Sequence, residues 1–176
     1  MAKKRPAGPP PELVDIVDAT DRRLLVMPLA EAHRQGLFHR SVMVLVYNDQ
    51  GKLYLQKRGP QKSLYPNRFD LSATGHVRAG EARQEAAARE LQEELGLAAA
   101  SLTWLDAVPA SEETAYEFVT LFSAGRPGQP PRPNPDEVAG GVFVDAAELA
   151  ALVRDYRDLL TPAVVRFFER KALFPG

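Results

Sequence analysis

Glu90, Glu93 and Glu94 stand at i, i+3 and i+4 in the stretch RELQEELG, directly after Arg89. At about 100° per residue, carboxylates at these spacings share one side of a helix. Like charges so placed repel by roughly a few tenths of a kcal/mol per pair. Carboxylates in a last helical turn also oppose the negative end of the helix dipole. The cluster is therefore locally unfavourable unless a cation sits on it. Hard divalent ions such as Mg2+ or Mn2+ take oxygen donors of this kind and share their shell with substrate phosphates. A solvated acidic helix face is the plain alternative. Against it stands a longer pattern: residues 75–97 fit G-x5-E-x7-R-E-U-x-E-E-x-G-U, with U aliphatic, at every fixed position, bringing in Gly75, Glu81 and Gly96.

The elements that must carry these side chains can be read from the flanking sequence. Gly80 and Glu81 precede an Ala-rich run with strong helix propensity over 82–95, and Gly96 is the stop expected just past a helix end. Helical periodicity puts Gln84, Ala87, Ala88, Leu91 and Leu95 on one mostly apolar stripe that should pack on a sheet. The three glutamates fall on a different face, with the small Ala86 among them so that something can approach closely. Upstream, apolar segments at 12–18 and 24–27 flank a polar turn and suggest a hairpin. A short helix over 28–35 should end at Gly36. Strands at 41–47 and 52–57 flank Asn48, Asp49, Gln50 and Gly51, a strong turn signal, and should pair as central strands. A strand over 69–74 leads into the motif. Later strands are expected at 102–108, 116–124 and 141–144, then helices over 146–154 and 162–173. The proline-rich stretch 125–135 (GRPGQPPRPNP) should be an exposed loop.

The segment 75–97 resembles the Nudix box of the diphosphate hydrolase superfamily, and the order of elements is similar to that superfamily over most of the chain. The resemblance implies an α/β/α sandwich with a mixed central sheet. It makes Glu90 and Glu94 the principal metal ligands, Glu93 a further or water-mediated ligand, and the Thr74 carbonyl a backbone ligand. Arg89 becomes an orienting partner, and Glu81 an organiser of the loop that touches metal only through water. The stretch from His39 through YNDQGKLYLQKRGPQKSLYPNRFD also resembles isopentenyl-diphosphate isomerases, which share this fold and use histidines in similar places for a metal. Their catalytic cysteine would fall near 71–74, and this chain has no cysteine. His33, His39 and His76 are therefore taken as remnants or supporting polar groups, with joint binding of a second metal left open.

On the substrate side, Arg58 and Lys62 could pair with diphosphate oxygens. Tyr65 and Phe69 could stack on a base or simply pack beneath the loop. Glu117, in the strand TAYEFVTLF, is the candidate extra ligand or base, with Glu113 and Glu137 behind it. The implied chemistry is hydrolysis of a nucleoside diphosphate linked to X, giving a nucleoside monophosphate and phosphorylated X, with Mg2+ or Mn2+ as cofactor. An isomerase-like enzyme, a non-catalytic nucleotide-binding module and a structural or protein-interaction domain are the alternatives.

Composition is consistent with this and adds exclusions. A chain of 176 residues that is 45% hydrophobic suggests one globular domain, here 12–176, after a basic, proline-rich flexible tail over 1–11. The net charge of −1 argues against binding a nucleic-acid polymer. No run of about 18 apolar residues and no signal-peptide core is present, so a cytoplasmic protein without membrane attachment is expected. The absence of cysteine excludes disulfides, thiolate metal sites and thiol nucleophiles. A homodimer is left open.

Overall fold

Alternation along SVMVLV sends Val42 and Val44 to one face of a strand and Met43 and Leu45 to the other, and all four are buried, so this strand must be covered on both sides. It is β3 (His39–Leu45) in a computed structural model that describes residues 10–174. The segment 1–9, most of the expected tail, lies outside the described residues. β3 lies in a mixed four-stranded sheet ordered β6-β3-β8-β7, where β6 is Ala73–His76, β7 Thr103–Val108 and β8 Glu117–Ser123. It runs antiparallel to β6 and parallel to β8. A second sheet orders β5 (Phe69–Asp70), β4 (Leu53–Arg58) and β9 (Val138–Val144). The N-terminal hairpin, β1 (Leu13–Val17) and β2 (Arg23–Pro28), forms a separate pair. Helix α1 (Leu29–Gln35) follows it and ends at Gly36 in the left-handed region (φ 60°).

Helix α2 (Arg83–Leu95) closes one face of the central sheet, where Ala87, Leu91 and Leu95 cluster with Val42, Val44, Ala73 and Phe122. On the other face Met43, Leu45 and Leu121 pack with the second sheet and with α3 (Ala146–Asp155) and α4 (Pro162–Glu169) through Leu149, Val153, Val164 and Phe167. The result is the expected helix–sheet–helix layering about a mixed sheet.

Four local expectations need correction. The turn at Asn48 forms, with its side-chain oxygen accepting from the Gln50 and Lys52 amides, but β3 and β4 part after one bridge between Tyr47 and Leu53 and enter different sheets. The strand expected over 69–74 is likewise two, β5 against β4 and β6 against β3. One residue explains both: the buried Ser72 hydroxyl accepts from the Val46 amide (2.9 Å) and donates to the Tyr54 carbonyl (2.6 Å), taking up ladder groups where the chain crosses between sheets. The α4 helix stops at Glu169 rather than 173, because Lys171 turns left-handed (φ 57°) and the chain folds back to bury Leu173, whose carbonyl accepts from the Tyr47 hydroxyl. On α2 the buried stripe is Ala86, Ala87, Glu90, Leu91, Glu94 and Leu95, with Gln84 and Ala88 exposed. Ala86 thus fills the core instead of leaving an approach beside the glutamates.

Candidate active site and metal centre

Because the buried stripe of α2 includes two of the three glutamates, those carboxylates enter the protein rather than lying on a solvent face. Glu90 lies against β6 at Gly75, where any Cβ would collide with its carboxylate. This is the physical need for glycine at that place. Burial pushes Glu90 up to about 8, although Arg89 beside it (Nη1 to Oε1, 2.5 Å) pulls the other way. Arg89 spends its whole fork here: it also grips both oxygens of Glu81 (2.8 and 2.9 Å), reaches Glu93 (3.2 Å) and donates to the His76 carbonyl (2.9 Å). Glu81 in turn accepts from the Arg78 amide. Glu93 is the exposed member, with Arg78 as a further cation nearby.

Glu94 is fully buried and held by two hydrogen bonds. Its Oε2 accepts from the Thr74 amide (2.8 Å) and from Gln56 on β4 (2.7 Å), while its Oε1 has no hydrogen-bond partner. Burial pushes it up to about 7. Gln56 escaped the sequence reading; the only hint was a polar residue at an inward position of LYLQKR. The proline-rich stretch is the exposed loop expected, and it also docks: the amides of Arg132 and Asn134 bond to the Leu95 and Glu94 carbonyls, capping the C-terminal end of α2. That docking brings Glu137 to Lys62, whose Nζ lies 2.9 Å from Glu137 Oε2 and 3.7 Å from Glu94 Oε1.

A second cluster forms around Glu117, and it brings together the three histidines that the sequence offered as remnants or supporting polar groups. His33, His39, His76 and Glu117 each present a ligand atom, all within 4.8 Å of one another. Glu117 Oε1 lies 3.2 Å from His76 Nε2, 3.7 Å from His39 Nε2 and 3.8 Å from His33 Nε2. Glu117 therefore faces the imidazoles and is not grouped with the glutamates of α2. Burial works to raise its pKa, but the three imidazoles outweigh that and hold it well below the usual carboxylate range. Each member is placed by backbone. Gly36 lets the end of α1 pass against the Tyr116 ring, Ala115 and Tyr116 are both left-handed (φ 53° and 64°) ahead of β8, and His39 pairs with Glu117 in parallel register. The His39 Nδ1 sits 2.8 Å from the Leu37 carbonyl, which leaves Nε2 for the cluster.

Glu90, Glu93, Thr74, His33, His76 and Glu117 line a single cavity of about 490 Å³. Arg58, Lys62 and Tyr65 lie on the same cavity. Arg58 is already engaged, paired with the buried Asp70 (3.0 Å) and donating to the Leu64 carbonyl. Tyr65 is half exposed beneath the Arg68 guanidinium, whereas Phe69 packs against the main core. Glu113 is bound to Arg166 at the rim. All the donors on α2 are carboxylate oxygens, and one of them is buried without a partner, which suits a hard divalent ion. The imidazole and carboxylate set around Glu117 suits Mn2+, Fe2+ or Zn2+ better than Mg2+.

A family model described as NUDIX domain matches residues 37–163. An uncharacterized Nudix hydrolase of Pseudomonas aeruginosa is 45% identical over 86 residues, 49% of this chain and 51% of its own, so the chain spans about half that relative's length. An isopentenyl-diphosphate Delta-isomerase of Streptomyces griseus is 36% identical over 145 residues, covering 78% of this chain and 73% of its own. The crystal structure of DR0079 from Deinococcus radiodurans superposes with a TM-score of 0.78 at 27% identity, over 90% of this chain and 98% of that one.

Proposed function

The chain belongs to the Nudix family, and from that premise we propose that it hydrolyses the diphosphate linkage of a nucleoside diphosphate derivative, giving a nucleoside monophosphate and phosphorylated X. The observation that carries this is Glu94. A carboxylate with a buried oxygen that accepts no hydrogen bond is costly, and a cation bound there, just behind the cavity-lining Thr74 and Lys62, would offset that cost beyond what the ammonium 3.7 Å away supplies. Glu90, Glu93, Glu94 and the Thr74 carbonyl would hold Mg2+ or Mn2+, which when bound neutralises phosphate oxygens and activates water. Arg89 fixes Glu90 relative to β6, so that this side chain has little order to acquire on binding. Lys62 supplies a point charge for the phosphate, and Glu117, ionised at neutral pH, is available as a proton acceptor on the same cavity. The protein would be tested on nucleoside di- and triphosphates, nucleotide sugars, dinucleotides and isopentenyl diphosphate with each metal. At least one nucleoside diphosphate derivative should be cleaved, and Glu94→Gln should stop cleavage. Isomerisation without hydrolysis would overturn the reading.

The histidine cluster favours a second reading, an isomerase-like enzyme acting on a prenyl diphosphate at a transition-metal centre. It lacks a thiol, since the chain has no cysteine. Product analysis separates the two, because isomerisation releases no phosphate-containing fragment.

A further inference from the structure

We propose that Lys62 is an internal counter-cation for Glu94 and Glu137, which a divalent ion must displace and whose release delivers the ammonium to the diphosphate. This rests on the metal-dependent reading above and adds an order of events to it. The lysine is brought in by two loops in close contact. The Gly59 amide donates to the Glu137 carbonyl, any Cβ at Gly59 would strike that carbonyl, and Gln61 donates to the Asp136 carbonyl. Lys62 is thereby bonded to Glu137 at 2.9 Å and stands near Glu94 Oε1 without bonding to it, at 3.7 Å. The other oxygen of Glu94 is saturated by Thr74 and Gln56, so the side chain cannot turn to meet the lysine. Two buried acceptors, Glu94 Oε1 and Gln56 Oε1, are left unpartnered in this corner.

Coordination to Glu94 Oε1 at the roughly 2.1 Å typical of a small divalent ion would put two positive charges beside an ammonium only a few ångströms away. The two cations compete for the same carboxylate. Lys62 is the member that can leave, because its stem is flexible, its side chain is partly exposed and it lines the cavity. Release costs the Glu137 contact and gains a partner only when phosphate is present. Metal and substrate binding are therefore coupled through this one side chain.

The test is Mn2+ titration by calorimetry without substrate, read on the binding event that Glu94→Gln removes, because the imidazole cluster offers Mn2+ a second site. Lys62→Met should bind Mn2+ about tenfold tighter than the wild type, Lys62→Arg should stay near the wild type, and KM for a cleaved diphosphate should rise in Lys62→Met even as metal affinity improves. Unchanged or weaker Mn2+ binding by a folded Lys62→Met overturns the proposal, since a lysine that only binds substrate or only braces the loops would give that result. Wild-type protein serves where the variant fails to fold. Titrating Mg2+ while following the lysine 13Cε resonances should move the Lys62 signal to the position of a solvated lysine, and a signal that stays in place overturns the proposal. Absence of any metal binding by the wild type is a separate outcome, and defeats the metal-dependent reading itself.

Discussion

Glu94 exchanges water for two hydrogen bonds on one oxygen and none on the other, and its titration should report that. A carboxyl whose pKa is raised on folding favours the native state while protonated. Its contribution is complete below about 4.5 and is lost as pH climbs through about 7. With chelator present, thermal stability should therefore fall as pH rises across that window, by an amount on the order of a few kcal/mol, and Glu94→Gln should flatten the slope. Glu117 has the opposite sign: its pKa is depressed, so its contribution is lost as pH falls. Added Mg2+ should reverse the alkaline loss, because the ion binds the charged form, and calorimetry at pH 6 in two buffers of different ionisation heat should detect released protons. Metal affinity should drop strongly in Glu94→Gln and Glu90→Gln, and unchanged affinity in both folded variants would remove the site from α2. Glu93 is exposed and its pairs with Arg89 and Arg78 are of the weak surface kind. Glu93→Gln should cost little stability in melts while lowering turnover.

At the scale of elements, the site depends on where strands separate. Ser72 satisfies the Val46 amide and the Tyr54 carbonyl where β3 and β4 diverge, and that divergence puts Gln56 on one sheet and Thr74 on the other, both facing Glu94. Ser72→Ala leaves two buried backbone groups unpaired and should destabilise by about 1–3 kcal/mol in urea unfolding. Metal affinity should fall with it, since the two partners of Glu94 lose their spacing; a stable variant with normal affinity would mean that other contacts hold the sheets apart. The loop over 125–135 acts similarly from the other end of α2, capping its carbonyls while carrying Glu137 to Lys62.

For the molecule as a whole, Glu90 and Glu93 of α2 and His33, His76 and Glu117 of the histidine cluster line one cavity, and the two sets draw on different ligand chemistry. Two classes of metal response should follow. Ion binding to the native state raises stability by RT ln(1 + [L]/Kd), about 2.7 kcal/mol at a hundredfold excess over Kd. Mn2+ should stabilise the wild type more than either Glu94→Gln or His39→Asn alone, and Mg2+ should lose its effect only in Glu94→Gln. If His39→Asn responds to Mn2+ as the wild type does, the imidazoles hold no ion and Glu117 is left as a buried, histidine-bound carboxylate. Among the described residues no helix is long and apolar enough to cross a membrane.

The motif from Gly75 to Leu97, the α2 helix with its Gly96 stop, the alternation of β3 and the family itself were legible in the chain, because each depends on residue types at short, fixed separations. Even the need for Gly75 was visible as a pattern, though its cause, the Glu90 carboxylate pressed against β6, was not. Sequence reasoning set the glutamates on a face of their own, which the buried stripe of α2 overturns, and left open whether the histidines come together, both for one reason. Which side of a helix is buried, and which distant residues meet, is decided by packing between elements far apart in the chain. His33, His39, His76 and Glu117 come from α1, β3, β6 and β8, and the pairing of β3 with β8 on one side and β6 on the other, with the close pass at Gly36, brings them together. Lys62 meets Glu94 and Glu137 through a loop docked on the end of a helix. No spacing rule encodes such a contact, because its energy comes from the tertiary burial that creates it.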